Sequence, residues 1–256
     1  MFTTIKEYFM SWGQKSADGR GRSLLDIILW RNAKPMGPVE FQYHNPFGIK
    51  IGNSITVDHD MNLSGINFFV DAILVYETVM DNGKRFYDTE YNLRGQALGM
   101  LKPKFVRLRV TADDNALDPK FPYALQILER YHEQAWDQDL YDYLNKLNGT
   151  GEFQVNHADD GTELAEPRLY WRVNDVPDPY QCNVTIMRDL NRDGVIDEET
   201  ELERKTVTFW DFHRETTDDG TKEKFAEYLN AEMDNDTRYF HMYRGRAVMP
   251  FQVKVI

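Results

Sequence analysis

The sequence predicts an α+β fold: a β-rich antiparallel sandwich or partly open barrel, with one long helix (about 119–147) and an N-terminal amphipathic helix. Three observations carry this. Short runs rich in β-branched and aromatic residues recur from residue 48 to the C-terminus, punctuated by Gly, Asn and Asp. A single long stretch instead shows apolar spacing of the helical kind. The first 35 residues show helical spacing in two short pieces and carry their own charge balance. A chain of 256 residues has material for one large β-rich domain or two small ones. The reading is therefore a helical segment over 1–35 and a β-rich body over 36–256, divisible into two subdomains near 150.

In chain order, Phe2, Ile5, Phe9 and Trp12 fall on one face of a helix. Residues 16–22 break that pattern, and Ser23 can cap a second short apolar helix from Leu24 to Trp30. Lys/Arg at 6, 15, 20, 22, 31 and 34 oppose Glu7, Asp18 and Asp26, giving this segment +3; since the whole chain carries -12, the remainder carries -15. A basic, aromatic-faced helix on an acidic body suits a membrane surface (through residues 1–22), a protein partner, or its own domain.

Pro35 to Pro46 reads as a linker or extended arm. Strands are expected at 48–52, 54–57, 68–78 and 84–93, the last two joined by a turn at Asp81-Asn82-Gly83. Phe105 to Val110 alternates, so one of its faces is expected to be wet. From Pro119 to Leu147, Leu125, Leu128, Tyr131, Ala135, Leu140, Tyr143, Leu144 and Leu147 predict the long helix, with a break near Trp136 to Asp139 and a stop at Asn148-Gly149. Strands resume at 152–155 and 168–172. Lys222 to Met233 reads as a second short helix or a strand-flanking segment, and strands at 239–243 and 247–256 close the sheet.

The richest motif is Asp189-Leu190-Asn191-Arg192-Asp193-Gly194-Val195-Ile196-Asp197. It spells D-x-N-x-D-G-x-x-D, in which oxygens at alternate positions converge on one hard cation while glycine makes the sharp turn. The candidate Ca²⁺ ligands are the side chains of Asp189, Asn191, Asp193 and Asp197 and the carbonyl of Val195. The flanks, 181–187 and 205–210, are β-type, so the loop reads as a hairpin tip and not as an EF-hand. The twelfth position, where an EF-hand places a bidentate Glu, is Thr200. A plain solvated turn uses the same residue types.

Other chemistry finds no constellation. Histidines at 44, 59, 132, 157, 213 and 241 show no zinc spacing, and Asp58-His59-Asp60 reads as a polar turn because adjacent strand residues diverge. No nucleophile elbow, phosphate loop or dinucleotide fingerprint is present. The acidic balance argues against nucleic acid. The single Cys182 allows no internal disulfide and is expected to be buried in a strand. No run approaches the roughly 18 apolar residues of a membrane-spanning helix, and Lys6 and Glu7 interrupt any signal-type segment, so the cytoplasm is the expected address.

Residues 46–58, Pro46-Phe-Gly-Ile-Lys-Ile-Gly52-Asn-Ser-Ile-Thr-Val-Asp58, resemble the opening strand pair of the YjfK-like family of uncharacterised bacterial proteins. Asp71 to Tyr76, Lys84 to Asp88, Tyr91 to Arg94 and Arg244 to Val253 are similar to that family's later strands. The resemblance covers about half the chain in short pieces. It implies a β-rich cytoplasmic domain, often encoded beside membrane-stress genes, with no catalytic residues to carry over.

The expectation is a non-enzymatic accessory or interaction protein, cytoplasmic or membrane-peripheral, with a structural Ca²⁺ hairpin. The alternative is a Ca²⁺-dependent carbohydrate-binding module or hydrolase, in which Tyr170, Trp171, Tyr180 and Trp210 would stack on sugar.

Overall fold

A computed structural model of the chain describes residues 22–23, 45–58, 63–79, 83, 85–96, 101–112, 123–146, 152–158, 162–173, 179–189, 200–217 and 224–256. The expected helices within 2–12 and 24–30, the linker over 35–44 and loop residues 190–199 lie outside these. The strands are β1 (Arg22–Ser23), β2 (Ser54–Val57), β3 (Asn67–Val79), β4 (Arg85–Gln96), β5 (Lys104–Ala112), β6 (Tyr123–Ala135), β7 (Glu152–His157), β8 (Glu163–Arg172), β9 (Tyr180–Asp189), β10 (Thr200–Thr217), β11 (Lys224–Asp234), β12 (Tyr239–Ala247) and β13 (Val253–Val255). The helix α1 spans Gln138–Lys146.

Eight of these strands close a barrel in the order β3-β4-β5-β6-β12-β11-β10-β9, with β9 returning to β3 and every pair antiparallel. It consists of two four-stranded meanders, β3–β6 and β9–β12, from either side of residue 150. Their first strands meet each other, and so do their last, so no edge in the barrel is left unpaired.

Two strands outgrow the barrel. β3 pairs with β2 at Phe68 and Phe69, bulges between Val70 and Ala72, and then pairs with β9 from Ile73 to Thr78. β10 pairs with β9 over 200–209 and with β8 at Phe212 and His213. Each overhang carries a small sheet that covers one outer wall. β2 and β13 bring Ile55, Val57 and Val253 onto Tyr91, Leu93, Leu108 and Ile127. On the other wall, α1 and the β7–β8 pair bring Leu144, Phe153, Val155 and Tyr170 onto Trp210, Phe212, Leu229 and Met242. Each large apolar side chain taken fully out of water in these layers contributes about 1.5–3 kcal/mol.

Burial on both faces explains the main correction. Residues 123–135 are a strand and not the first half of a long helix, because Leu125 and Ile127 face the outer layer while Gln126 and Leu128 face inward. Apolar residues on both faces blur the period of two and imitate a helix. Only Gln138–Lys146 is helical. It starts at the expected break, where the Asp137 carboxylate accepts the Leu140 N–H at 2.9 Å. The same two-sided burial makes Lys224–Asp234 a strand, not a helix. Arg22–Ser23 pair with β13 at Val255 and Lys254. Asn45, expected within the linker, is buried; its amide donates to the Ile49 carbonyl at 2.7 Å and its carbonyl accepts the Tyr91 hydroxyl.

Candidate binding site at the barrel mouth

Strand alternation sends every second barrel residue inward. On one side of the interior the inward set is apolar: Ala72, Leu74 and Tyr76 from β3, Cys182, Val184 and Ile186 from β9, and Val207 and Phe209 from β10. On the other side it is charged. Asp88 and Glu90 on β4 lie near Arg107 and Arg109 on β5, with Asp211 on β10 and Glu232 on β11 across the lumen.

Arg107 donates through Nη1 to Glu90 at 3.1 Å and to Glu232 at 2.9 Å, and through Nη2 to the Tyr243 hydroxyl. Arg109 donates to Asp211, Asp88 and the Tyr180 hydroxyl, each at 3.2 Å. Tyr76 donates to Glu90, while Tyr180 and Asn230 donate to Asp211. Four carboxylates thus share two guanidiniums. Burial raises the Glu90 carboxyl above its ordinary value despite both arginines, and raises Asp88 despite Arg109. Burial also opposes the charge on Glu232, but Arg107 overcomes it and holds that carboxyl below the usual range. Burial and the adjacent carboxylates raise the Tyr76 and Tyr180 hydroxyls well above their ordinary values.

Above this network the barrel opens into a cavity of about 690 Å³, lined by Asp71, Ala72, Asn92, Leu93, Phe105, Val106, Arg107, Leu128, Glu129, Arg130, Arg188 and Tyr243. This lies in the 300–1,000 Å³ range typical of small-ligand pockets. Its rim is laced with ion pairs: Arg94–Asp71 at 2.9 Å, Lys104–Glu129 at 3.0 Å and Arg188–Glu203 at 2.7 Å. Such exposed pairs are worth about 0–1 kcal/mol each and leave the rim close to neutral. The Asn92 side-chain carbonyl is buried and accepts no hydrogen bond.

The structure distributes the expected site residues unevenly. Asp189 ends β9 and pairs with Thr200 at the start of β10, so the connection over 190–199 closes an antiparallel hairpin. Asn191, Asp193, Val195 and Asp197 lie outside the described residues. Arg188, next to Asp189, lines the cavity, so that hairpin joins the barrel at the same rim. Among the described residues no group of three or more His, Cys, Asp or Glu could hold a metal ion. Asp58 pairs with the Lys254 ammonium, while His59 and Asp60 lie outside the described set. The aromatic quartet forms no exposed platform: Trp210 and Tyr170 are fully buried, Tyr180 faces the lumen, and Trp171 alone of the four is exposed. Cys182 is buried, as its strand position suggested.

The charged lumen was missed at the sequence level. Its signal was the alternation of Asp88, Glu90 and Asn92 opposite that of Arg107 and Arg109; this polar face meets the barrel interior and not bulk water. Among the described residues no helix is long and apolar enough to cross a membrane. No family model matches the chain, and neither curated proteins nor solved structures provide a match.

Proposed function

We propose that this is a non-enzymatic binding protein that holds a small molecule in the open end of its barrel and serves an accessory role. The carrying observation is the cavity of about 690 Å³ set into a closed eight-stranded barrel, a size that leaves room for one small ligand. The ion-paired floor supports binding over turnover, because each of its carboxylates already bonds to a guanidinium. Attachment to a protein partner or membrane surface through residues 1–22 belongs to the same reading and rests on the +3 charge of residues 1–35. The test is to extract full-length protein purified from its own cells and to look by mass spectrometry for a co-purifying small molecule. It should be present in near-stoichiometric amount and lost from a folded Leu128→Trp variant, whose indole fills the cavity. An extract identical for both proteins would remove the reading.

A second reading concerns the hairpin at the same rim, and the Asp189–Thr200 pairing favours it. A hairpin loop carrying Asp189, Asn191, Asp193, Val195 and Asp197 offers three carboxylates, an amide oxygen and a carbonyl to one Ca²⁺, in a structural and not a catalytic role.

A further inference from the structure

We infer that the barrel mouth selects an uncharged, largely apolar molecule carrying one N–H or O–H donor; this rests on reading the mouth as a small-molecule site. Three observations converge. First, the cation at the floor is already committed: Arg107 is bonded to both Glu90 and Glu232, and its guanidinium carbon lies 3.7 Å from the centre of the Tyr243 ring. A carboxylate or phosphate entering the mouth would have to displace one of those partners, and the other two cavity-lining arginines are paired as well, Arg130 with Glu133 and Arg188 with Glu203, each at 2.7 Å. An incoming anion is therefore rejected by charges already in place.

Second, Asn92 is among the residues lining the cavity, and its side-chain carbonyl oxygen is buried without a hydrogen-bond donor. An orphaned buried acceptor favours a ligand that brings an N–H or O–H to it and disfavours one that does not. Third, the lip carries two exposed aromatic rings among its ion pairs. Phe69 and Phe105 flank Arg94 in register, Phe69 opposite Arg94 and Arg94 opposite Phe105, so all three share the face that continues into the lumen. The two rings are 50% and 59% exposed, an unusual exposure for phenylalanine that an entering apolar body would cover. Arg94 itself is tied to Asp71 across the bulge of β3 and adds no unpaired charge at the lip.

The test uses three fluorescent probes on one skeleton with the full-length chain. N-phenyl-1-naphthylamine is uncharged and has one N–H; 8-anilino-1-naphthalenesulfonate adds an anion; N-methyl-N-phenyl-1-naphthylamine lacks the donor. The first should bind saturably at one per chain. The sulfonate should bind about tenfold more weakly or worse, and the methylated probe about five- to tenfold more weakly. Asn92→Leu should erase the preference for N–H over N-methyl. Leu128→Trp should abolish binding of all three, and Ala72→Leu, a smaller intrusion on the same cavity, should weaken it if the tryptophan variant fails to fold.

Equal binding of the sulfonate would overturn the exclusion of anions, and equal binding of the methylated probe would overturn the donor requirement; either leaves the cavity as a ligand site. Binding unaffected by Leu128→Trp and Ala72→Leu, or no binding of any probe, would overturn the cavity reading itself.

Discussion

The Arg107 guanidinium stacks on the ring of Tyr243 from β12, although Arg107 stands on β5 and β6 runs between the two strands. Its Nη1 also holds Glu90 on β4 and Glu232 on β11. One side chain therefore ties four barrel strands through the lumen. Arg107→Met should strip Glu232 of its guanidinium and leave Glu90 only Arg109, at 3.8 Å, at a cost of about 3–5 kcal/mol. Urea unfolding should show a lower midpoint with an unchanged slope. Adding Glu232→Gln to that variant should recover part of the loss. A midpoint equal to the wild type would show the network to be energetically idle.

Glu90 and Glu232 should respond to pH with opposite signs. The Glu90 carboxyl is raised on folding, so its contribution favours the fold below its ordinary value of 4.5 and is lost as pH climbs through the folded value. Glu90→Gln keeps the acceptor for Tyr76 and Arg107, so it should raise the melting temperature at pH 8 and leave it unchanged at pH 4. Glu232 is lowered on folding, so its contribution is present above 4.5 and lost as pH falls through the folded value. Glu232→Gln should destabilise at pH 8, with the difference shrinking towards acid. Parallel pH profiles for the two variants would contradict this assignment.

Much of this architecture was legible where one side of a strand differs from the other. Phe105 to Val110 alternates visibly, and the two strands expected on either side of Asp81–Gly83 do pair, with Gly83 at φ 76°. What failed was the meaning of the polar face. Arg107 and Arg109 look like solvent-facing residues because sequence alternation cannot distinguish water from a charged lumen. The partners Asp211 and Glu232 lie more than 100 residues away, a separation at which local pattern carries no information. Residues 123–135 failed for the opposite reason, since over 125–128 side chains are covered on both faces and show no alternation.

Gly245 marks a close strand approach. A Cβ placed on it would lie 1.7 Å from the Ile127 carbonyl oxygen, a backbone atom of β6 that cannot rotate aside. Gly245→Ala should therefore push β12 from β6 and cost about 1–3 kcal/mol or more. Calorimetry should show the loss, and hydrogen exchange should localise it to 126–128 and 244–246. Wild-type protection at those amides would refute the contact.

Cys182 should be chemically silent in the folded chain. Burial pushes its thiol up to about 12, offset in part by the Thr78 hydroxyl at 3.0 Å. At pH 8 only about one part in ten thousand is then thiolate. Labelling with a thiol reagent should follow the rate of unfolding, and rapid stoichiometric labelling of native protein would place the thiol elsewhere.

The last prediction concerns the hairpin between β9 and β10. Because Thr200 already sits in β10 opposite Asp189, position twelve of the loop belongs to a strand, which removes the EF-hand closure and leaves the nine-residue closure on Asp197. Asp189, Asp193 and Asp197 would then crowd three negative charges into a short loop on a chain already at -12. Their mutual repulsion should make the metal-free hairpin the weakest part of the sheet. Ca²⁺ binding only the folded chain should raise stability by RT ln(1 + [L]/Kd), about 2.7 kcal/mol at a hundredfold excess over Kd. Mg²⁺ should substitute poorly because it demands tight octahedral geometry. Asp193→Ala should abolish the gain while leaving the metal-free protein unchanged or slightly steadier, since it removes one repelling charge. A thermal scan with no response up to millimolar Ca²⁺ would make the loop an ordinary acidic turn.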